Sequence, residues 1–348
     1  MADFNDTVTI AAGEGSPGTA LLGIGAYRPR RVVSNEEICE KIDSTSEWIY
    51  ERSGILNRHV AEKDESVIFM SSEAAARAVA SAGIDPELVD ALIVCTSTYE
   101  TYVPHAAPKV ADNIGRNGIA AFDITAGCSG FGYGLALASN MIRGGGSRYV
   151  VVVGVERMSE GIDWTDRNTA FIFGDGAGAV VVGPSETNEI SQVVWGSDGQ
   201  QSEAITLTKT LREYIDETQE APAPAPFLVM DGSKVFRWAA VQIAKASART
   251  LEAAGVTADQ IQAFIPHQAN GRINSAMAKH LGLPDTVSIA NDIEQTGNTS
   301  AASIPLAMET MLREGQAKQG DLALCIGFGA GLSYAGQVVR LPAKPPVD

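Results

Sequence analysis

Short apolar runs alternate with small-residue amphipathic stretches along the whole chain, a pattern that predicts strands interleaved with helices. Runs at 91–95, 120–124, 149–153, 179–182, 263–265, 286–289 and 322–326 read as strands. Their almost unbroken apolar character suits strands covered on both faces and places the chain in the α/β class. Helices are predicted over 66–82, 129–143, 234–254, 271–281 and 300–314. Residues 208–226 break the pattern: a charged stretch is followed by alternating alanine and proline from Ala221 to Pro226. That composition predicts an extended, semi-rigid surface connection or flap.

The pattern also repeats. In each half a helix ends in Ala-Gly (Ala82-Gly83 and Ala254-Gly255), and a short apolar strand follows. A second strand then leads through a glycine and a polar residue, Gly127-Cys128 or Gly297-Asn298, into a small-residue helix. A Val/Leu-rich strand running into glycine closes each unit, at Gly154 in one and at Gly327 to Gly331 in the other. The chain thus reads as one unit used twice. Residues 1–18 form a frayed, flexible lead-in, 19–184 the half carrying Cys128, and 185–348 the half carrying His267 and Asn298. Cys128 and Asn298 fall at equivalent strand-to-helix junctions facing a shared midline.

Composition narrows the class. Hydrophobic residues make up 45% of the 348 and charged residues 20%, which describes a soluble globular chain with a sizeable core. No apolar run is long enough for a transmembrane helix, and no signal peptide opens the chain. A formal charge of −16 and a pI near 4.7 make nucleic acid and anionic membranes poor partners. Four widely spaced cysteines (Cys39, Cys95, Cys128, Cys325) without CxxC pairing argue against a disulfide framework or a zinc site. They fit a reducing cytoplasm.

Cys128 is the first candidate for chemistry. It lies between an apolar strand and the first turn of a helix, where unpaired N–H groups and the dipole favour a thiolate, and glycines flank it. A packed core cysteine is the other reading. His267 follows a strand in Pro266-His267-Gln268-Ala269-Asn270, at the strand end where α/β ligand sites form, or else is a satisfied loop histidine. His59, His105 and His280 carry no partner signal. Asn298 alone is a good helix N-cap. Gly327-Phe328-Gly329-Ala330-Gly331 is either a flexible turn or a set of N–H donors for an oxyanion.

Together, Gly-Cys-Ser-Gly-Phe, Pro-His-Gln-Ala-Asn, Gly-Asn-Thr-Ser-Ala-Ala-Ser-Ile-Pro and Gly-Phe-Gly-Ala-Gly, in this order, resemble the β-ketoacyl-acyl carrier protein synthase III family. The resemblance extends from about Leu21 to Leu341. It implies a thiolase-like fold of two duplicated halves in a five-layer αβαβα sandwich, and a cytoplasmic homodimer. It implies decarboxylative condensation of an acyl-CoA starter with malonyl-acyl carrier protein, with no permanently bound cofactor and no metal. Cys128, His267 and Asn298 match the catalytic triad, with oxyanion donors at the N–H groups of Cys128 and Ala330. Ser44, Trp48, Arg52, Arg167, Gly232, Phe236 and Asn270 match the CoA-binding positions, with Trp48 and Arg167 on opposite faces of the adenine. Arg272, Arg237 and Lys234 form the expected docking patch for the acidic carrier protein. Val103 falls near the acyl-pocket position, where a residue smaller than the usual phenylalanine would leave room for branched or longer starters.

The rivals are weaker. A thiolase would use Cys325 as acid/base, but its Gly-His-Pro element is missing, so Cys325 reads as a buried strand residue. An HMG-CoA synthase-like enzyme needs a glutamate near Thr96-Ser97-Thr98, and none sits within that run. A synthase-like acyltransferase of secondary metabolism would not need both His267 and Asn298. A non-catalytic acyl-CoA-binding module would not need Cys128.

Overall fold

The computed structural model describes residues 13–343. Its centre is two five-stranded sheets of matching design. The first runs Gly18–Tyr27, Asp175–Ser185, Val150–Arg157, Ala91–Cys95, Ala120–Ile124, and the second runs Val194–Ser197, Ser333–Arg340, Leu322–Gly329, Ala263–Pro266, Ser288–Ile289. In both, the three strands at one edge are parallel and the other two are antiparallel additions. Identical order and direction in the two sheets are the mark of a duplicated unit.

Five layers result. Helices Gly130–Arg143 and Ser303–Glu314 lie between the sheets, where Phe131, Leu135, Ile304 and Met308 join strand residues of both sheets in one core. Val67–Ala82 and Ala106–Asn113 cover the outer face of the first sheet, and Ala244–Ala254 and Gly271–Leu281 that of the second. Ala91–Cys95 is buried throughout, as strands between two helical layers must be. Ser66 caps its helix by accepting from the Phe69 N–H, and Gly83 ends it in the left-handed conformation.

Several expectations need correction. Residues 1–12 of the lead-in lie outside the described residues, but Gly13 to Pro17 are not frayed. The Ser16 N–H donates to Ile142 O (3.2 Å) and the Ser16 hydroxyl to Gly18 O (2.7 Å), which docks the segment at a helix C-terminus. The helix expected over 234–254 starts at Gly232 behind an Asp231 cap and passes through a π-helical stretch, Ala239–Ile243. The strand expected over 286–289 is only Ser288–Ile289. The surface connection over 208–226 contains a helix, Leu211–Glu220, whose Thr210 and Glu213 make a reciprocal capping box. Short strands Ile205–Leu207 and Leu228–Met230 pair at its base. The outer strands Gly18–Tyr27 and Ser333–Arg340 carry interspersed glycines and polar residues that hid them from an apolar-run criterion.

Close approach between the halves is enforced at Gly154, midway along Val150–Arg157. A Cβ there would stand 2.3 Å from the Ala301 carbonyl oxygen, inside the turn that leads into the second central helix. Gly154→Ala should lower stability by about 1–3 kcal/mol, read from the urea midpoint, because backbone and not a flexible side chain must yield. Gly199→Ala, with nothing within 4 Å of its added carbon, serves as the neutral control. Equal midpoints for the two variants would show that the halves are not packed this tightly.

Candidate active site

Cys128 sits in a 3-10 turn, Gly127–Ser129, that runs straight into the central helix Gly130–Arg143. The turn is locked to the opposite half. The Ser129 hydroxyl donates to Ala126 O (2.7 Å) and meets the Ser333 hydroxyl (2.8 Å), which donates to Ala330 O (3.0 Å). The glycine turn at 327–331 therefore lies against the thiol. A Cβ on Gly329 would stand 2.8 Å from the sulfur and 2.7 Å from the Cys128 Cβ, so only glycine fits there. The N–H groups of Cys128 and Ala330 flank the sulfur and favour its thiolate. Two donors converging on one point from the two halves have the geometry of an oxyanion hole.

His267 is buried one residue beyond the strand Ala263–Pro266, with its ring edge-on to Phe328 at 5.3 Å. Its Nδ1 is 2.7 Å from the Ser303 hydroxyl. With the Ser303 hydroxyl, which also accepts from the Gln268 N–H (3.3 Å), assigned as the donor to Nδ1, the ring hydrogen sits on Nε2. Burial pushes the imidazole down to about 3, so the ring is neutral at working pH. Asn298 is held by its backbone to the opposite half: its N–H donates to Ile172 O (2.9 Å), and the Gly174 N–H donates to its carbonyl (3.0 Å). Its Oδ1 accepts from the Ser300 N–H at 2.8 Å, which orients the amide and leaves Nδ2 to the cavity. Beneath this loop the fully buried Arg58 donates to Phe171 O and Val33 O.

A cavity of about 1140 Å³ joins Cys128, His267, Asn298 and Ala330 to the surface. Trp48, Arg52, Gly232, Phe236 and Asn270 line it further out, as do Arg237 and Arg272. Asn270 caps helix Gly271–Leu281 through the Arg272 N–H and donates to Arg52 O (3.0 Å), tying the two walls together. The hairpin strands 205–207 and 228–230 also line the cavity through Ile205, Leu207, Leu228 and Met230, which the charged, proline-rich stretch between them concealed.

Other site expectations do not hold in this form. Val103 is 83% exposed and does not line the cavity, because the chain turns outward after Glu100, and residues 97–100 line it instead. Ser44 is also off the cavity wall, and its hydroxyl is buried without a partner. Arg167 does not stand across a gap from Trp48: its guanidinium lies on the indole, 4.6 Å from the ring centroid, and Arg52 is 5.3 Å from the same ring. Lys234 lies off the wall, one turn before Arg237. Cys325 is buried in its strand, its thiol pushed up to about 12 by burial.

The expectation of a favoured thiolate at Cys128 also needs revision. Burial pushes this thiol up to about 11, and Glu156 adds to the rise, against the N–H donors and Ser300. Glu156 went unnoticed in the sequence, although a charged residue ending the run Val150–Val155 is itself a signal. It supplies the carboxylate that no residue within Thr96-Ser97-Thr98 offers: Oε2 accepts from Thr98 Oγ1 (2.6 Å), Ser97 N (3.0 Å) and Thr96 Oγ1 (3.3 Å).

The neutral state of His267 sets a pH dependence. The unfolded imidazole titrates at its ordinary 6.5 and the folded one at about 3, so between these values the unfolded chain binds the extra proton. Stability is full above 6.5 and falls with pH through that window, by at most about 1.4 kcal/mol per pH unit. His267→Gln should flatten this acid limb in urea unfolding; an unchanged slope would mean that the folded ring is charged.

The family model for 3-oxoacyl-[acyl-carrier-protein] synthase III matches residues 122–199, and that for the C-terminal part of the same enzyme matches residues 251–341. The chain is 52% identical over 334 residues to the mycobacterial beta-ketoacyl-[acyl-carrier-protein] synthase III of Mycolicibacterium paratuberculosis, covering 96% of this chain and 98% of the relative. It is 53% identical over 333 residues to the beta-ketoacyl-[acyl-carrier-protein] synthase III of Streptomyces glaucescens, covering 96% and 99%. Among solved structures, the 3-oxoacyl-(acyl carrier protein) synthase III of Pseudomonas aeruginosa superposes with a TM-score of 0.86 at 36% identity, covering 94% of this chain and 100% of that one. The priming β-ketosynthase of a polyketide biosynthetic pathway superposes with a TM-score of 0.93 at 44% identity, covering 97% and 99%. The chain belongs to the β-ketoacyl-acyl carrier protein synthase III family of condensing acyltransferases, with the thiolase-like fold.

Proposed function

We propose that this protein condenses an acyl-CoA starter with malonyl-acyl carrier protein and so begins fatty acid chains, with Cys128 carrying the acyl group. The observation that carries the proposal is the convergence at one half-buried sulfur. Two backbone N–H groups beside it favour its thiolate, and a neutral histidine and an oriented asparagine line the same cavity. Cys128 attacks the thioester, and the N–H groups of Cys128 and Ala330 hold the tetrahedral oxyanion while CoA leaves. Malonyl-acyl carrier protein then enters and loses CO₂. His267 Nε2–H and Asn298 Nδ2–H donate to the enolate oxygen, and the enolate carbon attacks the acyl-Cys128 carbonyl. A neutral imidazole suits this role, because it donates without surrendering its proton.

The outer cavity serves CoA and the carrier protein. Trp48, Arg52 and Asn270 form its wall, and Arg167 must swing off the indole for an adenine to stack there. Arg237 and Arg272 give a cationic rim to a chain of net charge −16. The chain works as two halves, 19–184 and 185–348, with no resident cofactor. It acts as a homodimer in a reducing cytoplasm. In support, all four cysteines are free, and the edge strand Ala120–Ile124, with half-buried Phe122 and Ile124, is paired on one side only.

Intact mass after incubation with acetyl-CoA should show one acetyl group on the wild type and none on Cys128→Ala. An unlabelled wild type would remove Cys128 as the acyl carrier. Arg272→Ala should raise the KM for malonyl-acyl carrier protein by about 2–5-fold with kcat unchanged, and the difference should shrink in high salt. An equal effect on acetyl-CoA would place Arg272 in the CoA site instead.

A further inference from the structure

The half-buried sulfur needs somewhere to send its proton. In the tautomer assigned above His267 does not take it, since its Nδ1 accepts from Ser303 and its Nε2 carries the hydrogen. Among the described residues one carboxylate is in reach by a single intermediary. Glu156 is completely buried and has no cationic partner among the described residues, its Oε2 held by Thr96, Ser97 and Thr98 and its Oε1 accepting from the Ser300 hydroxyl at 3.0 Å. That same hydroxyl shares the cavity wall with the Cys128 sulfur and favours its thiolate. Ser300 is also the one non-glycine with positive φ (50°) among the described residues, while its N–H orients Asn298. An uncompensated buried carboxylate and a strained backbone are both costly, and strain of this kind collects at functional sites.

We propose that Glu156 accepts the Cys128 proton during acyl transfer, through the Ser300 hydroxyl. The proposal rests on the condensing reaction argued above. As the sulfur attacks the thioester carbonyl, its proton passes to Ser300 Oγ while the Ser300 proton passes to Glu156 Oε1. The new S–C bond forms, the bond to the CoA sulfur breaks, and the CoA thiolate takes a proton from water. Glu156 stays protonated in the acyl-enzyme, so the malonyl carboxylate enters a site without a second negative charge beside it. When the enolate carbon displaces Cys128, the sulfur recovers its proton from Glu156 by the reverse path. One proton is consumed per turnover, as loss of CO₂ from a carboxylate and release of free CoA require.

The titratable groups facing Glu156 are Cys128 and Cys95, while the neighbouring Arg157 pairs with Glu160 and the Glu62 carbonyl. Burial, opposed by its four donors, raises the Glu156 carboxyl to about 7, so the acceptor is poised near working pH.

The experiment is rapid-mixing acetylation of the full chain by acetyl-CoA across about pH 5.5–9.5. Wild type should rise through an inflection near 7 and level off. Glu156→Gln, an isostere whose amide nitrogen can donate to Ser300, should lose the inflection and fall roughly 100-fold at neutral pH. Ser300→Gly, which suits the left-handed backbone, should do the same with Glu156 intact. Alkylation of Cys128 by iodoacetamide supplies a readout of opposite sign. Removing the adjacent charge in Glu156→Gln lowers the pH at which the thiol reacts, which a disrupted site would not do. An inflection near 7 that survives in either variant, its absence in wild type, or variant rates within about twofold of wild type would overturn the proposal. No acetylation of wild type at all would instead overturn the condensing role of Cys128.

Discussion

Two helices share the space between the two sheets, and the site depends on that sharing. Gly130–Arg143 starts from the Cys128 turn and Ser303–Glu314 from the turn after Asn298. Each packs on strands of both halves, so a shift of either would disturb the common core. The reactive groups are brought to one place because the helices carrying them cannot move apart without opening the middle layer. The hydrogen bonds from Ser129 through Ser333 to Ala330, and from Asn298 to residues 172–174, are the fine adjustment of that packing.

Burial does chemical work here as well as structural work. It raises Cys128, raises Glu156 and lowers His267, in each case toward the neutral form. At neutral pH before substrate arrives Cys128 and His267 are uncharged and Glu156 is poised between its two forms, and under the proposed function the donors face positions where charge would develop. That is electrostatic preorganisation: the dipoles are set when the chain folds and need not reorganise in each turnover.

Much of this was legible in the chain. The strand at 120–124 and the helix at 271–281 coincide with their predicted limits, because apolar runs bounded by turn residues leave little choice. Cys128 and His267 were visible as residues beyond strand ends, whereas Asn298, expected at an equivalent strand-to-helix junction, follows a short helix, Ile293–Thr296, that the sequence pattern did not show. What escaped depended on tertiary approach. Glu156 closes a hydrophobic strand and meets Thr96–Thr98 only through the parallel pairing of two strands. The hairpin over the cavity was hidden by its polar excursion, although Thr210 and Glu213 spell a capping box. Val103 lies only a few residues past a core strand, yet the chain has already turned outward there.

The contrast between the arginine-lined mouth and the rest of this anionic chain has a kinetic consequence. Over most of the surface a negatively charged partner is repelled, and the repulsion weakens toward Arg52, Arg237 and Arg272. Such a field acts less as an adhesive than as a compass. It would discourage unproductive encounters of an anionic partner away from the mouth, and because these arginines are few and exposed, contacts with them would be short-lived.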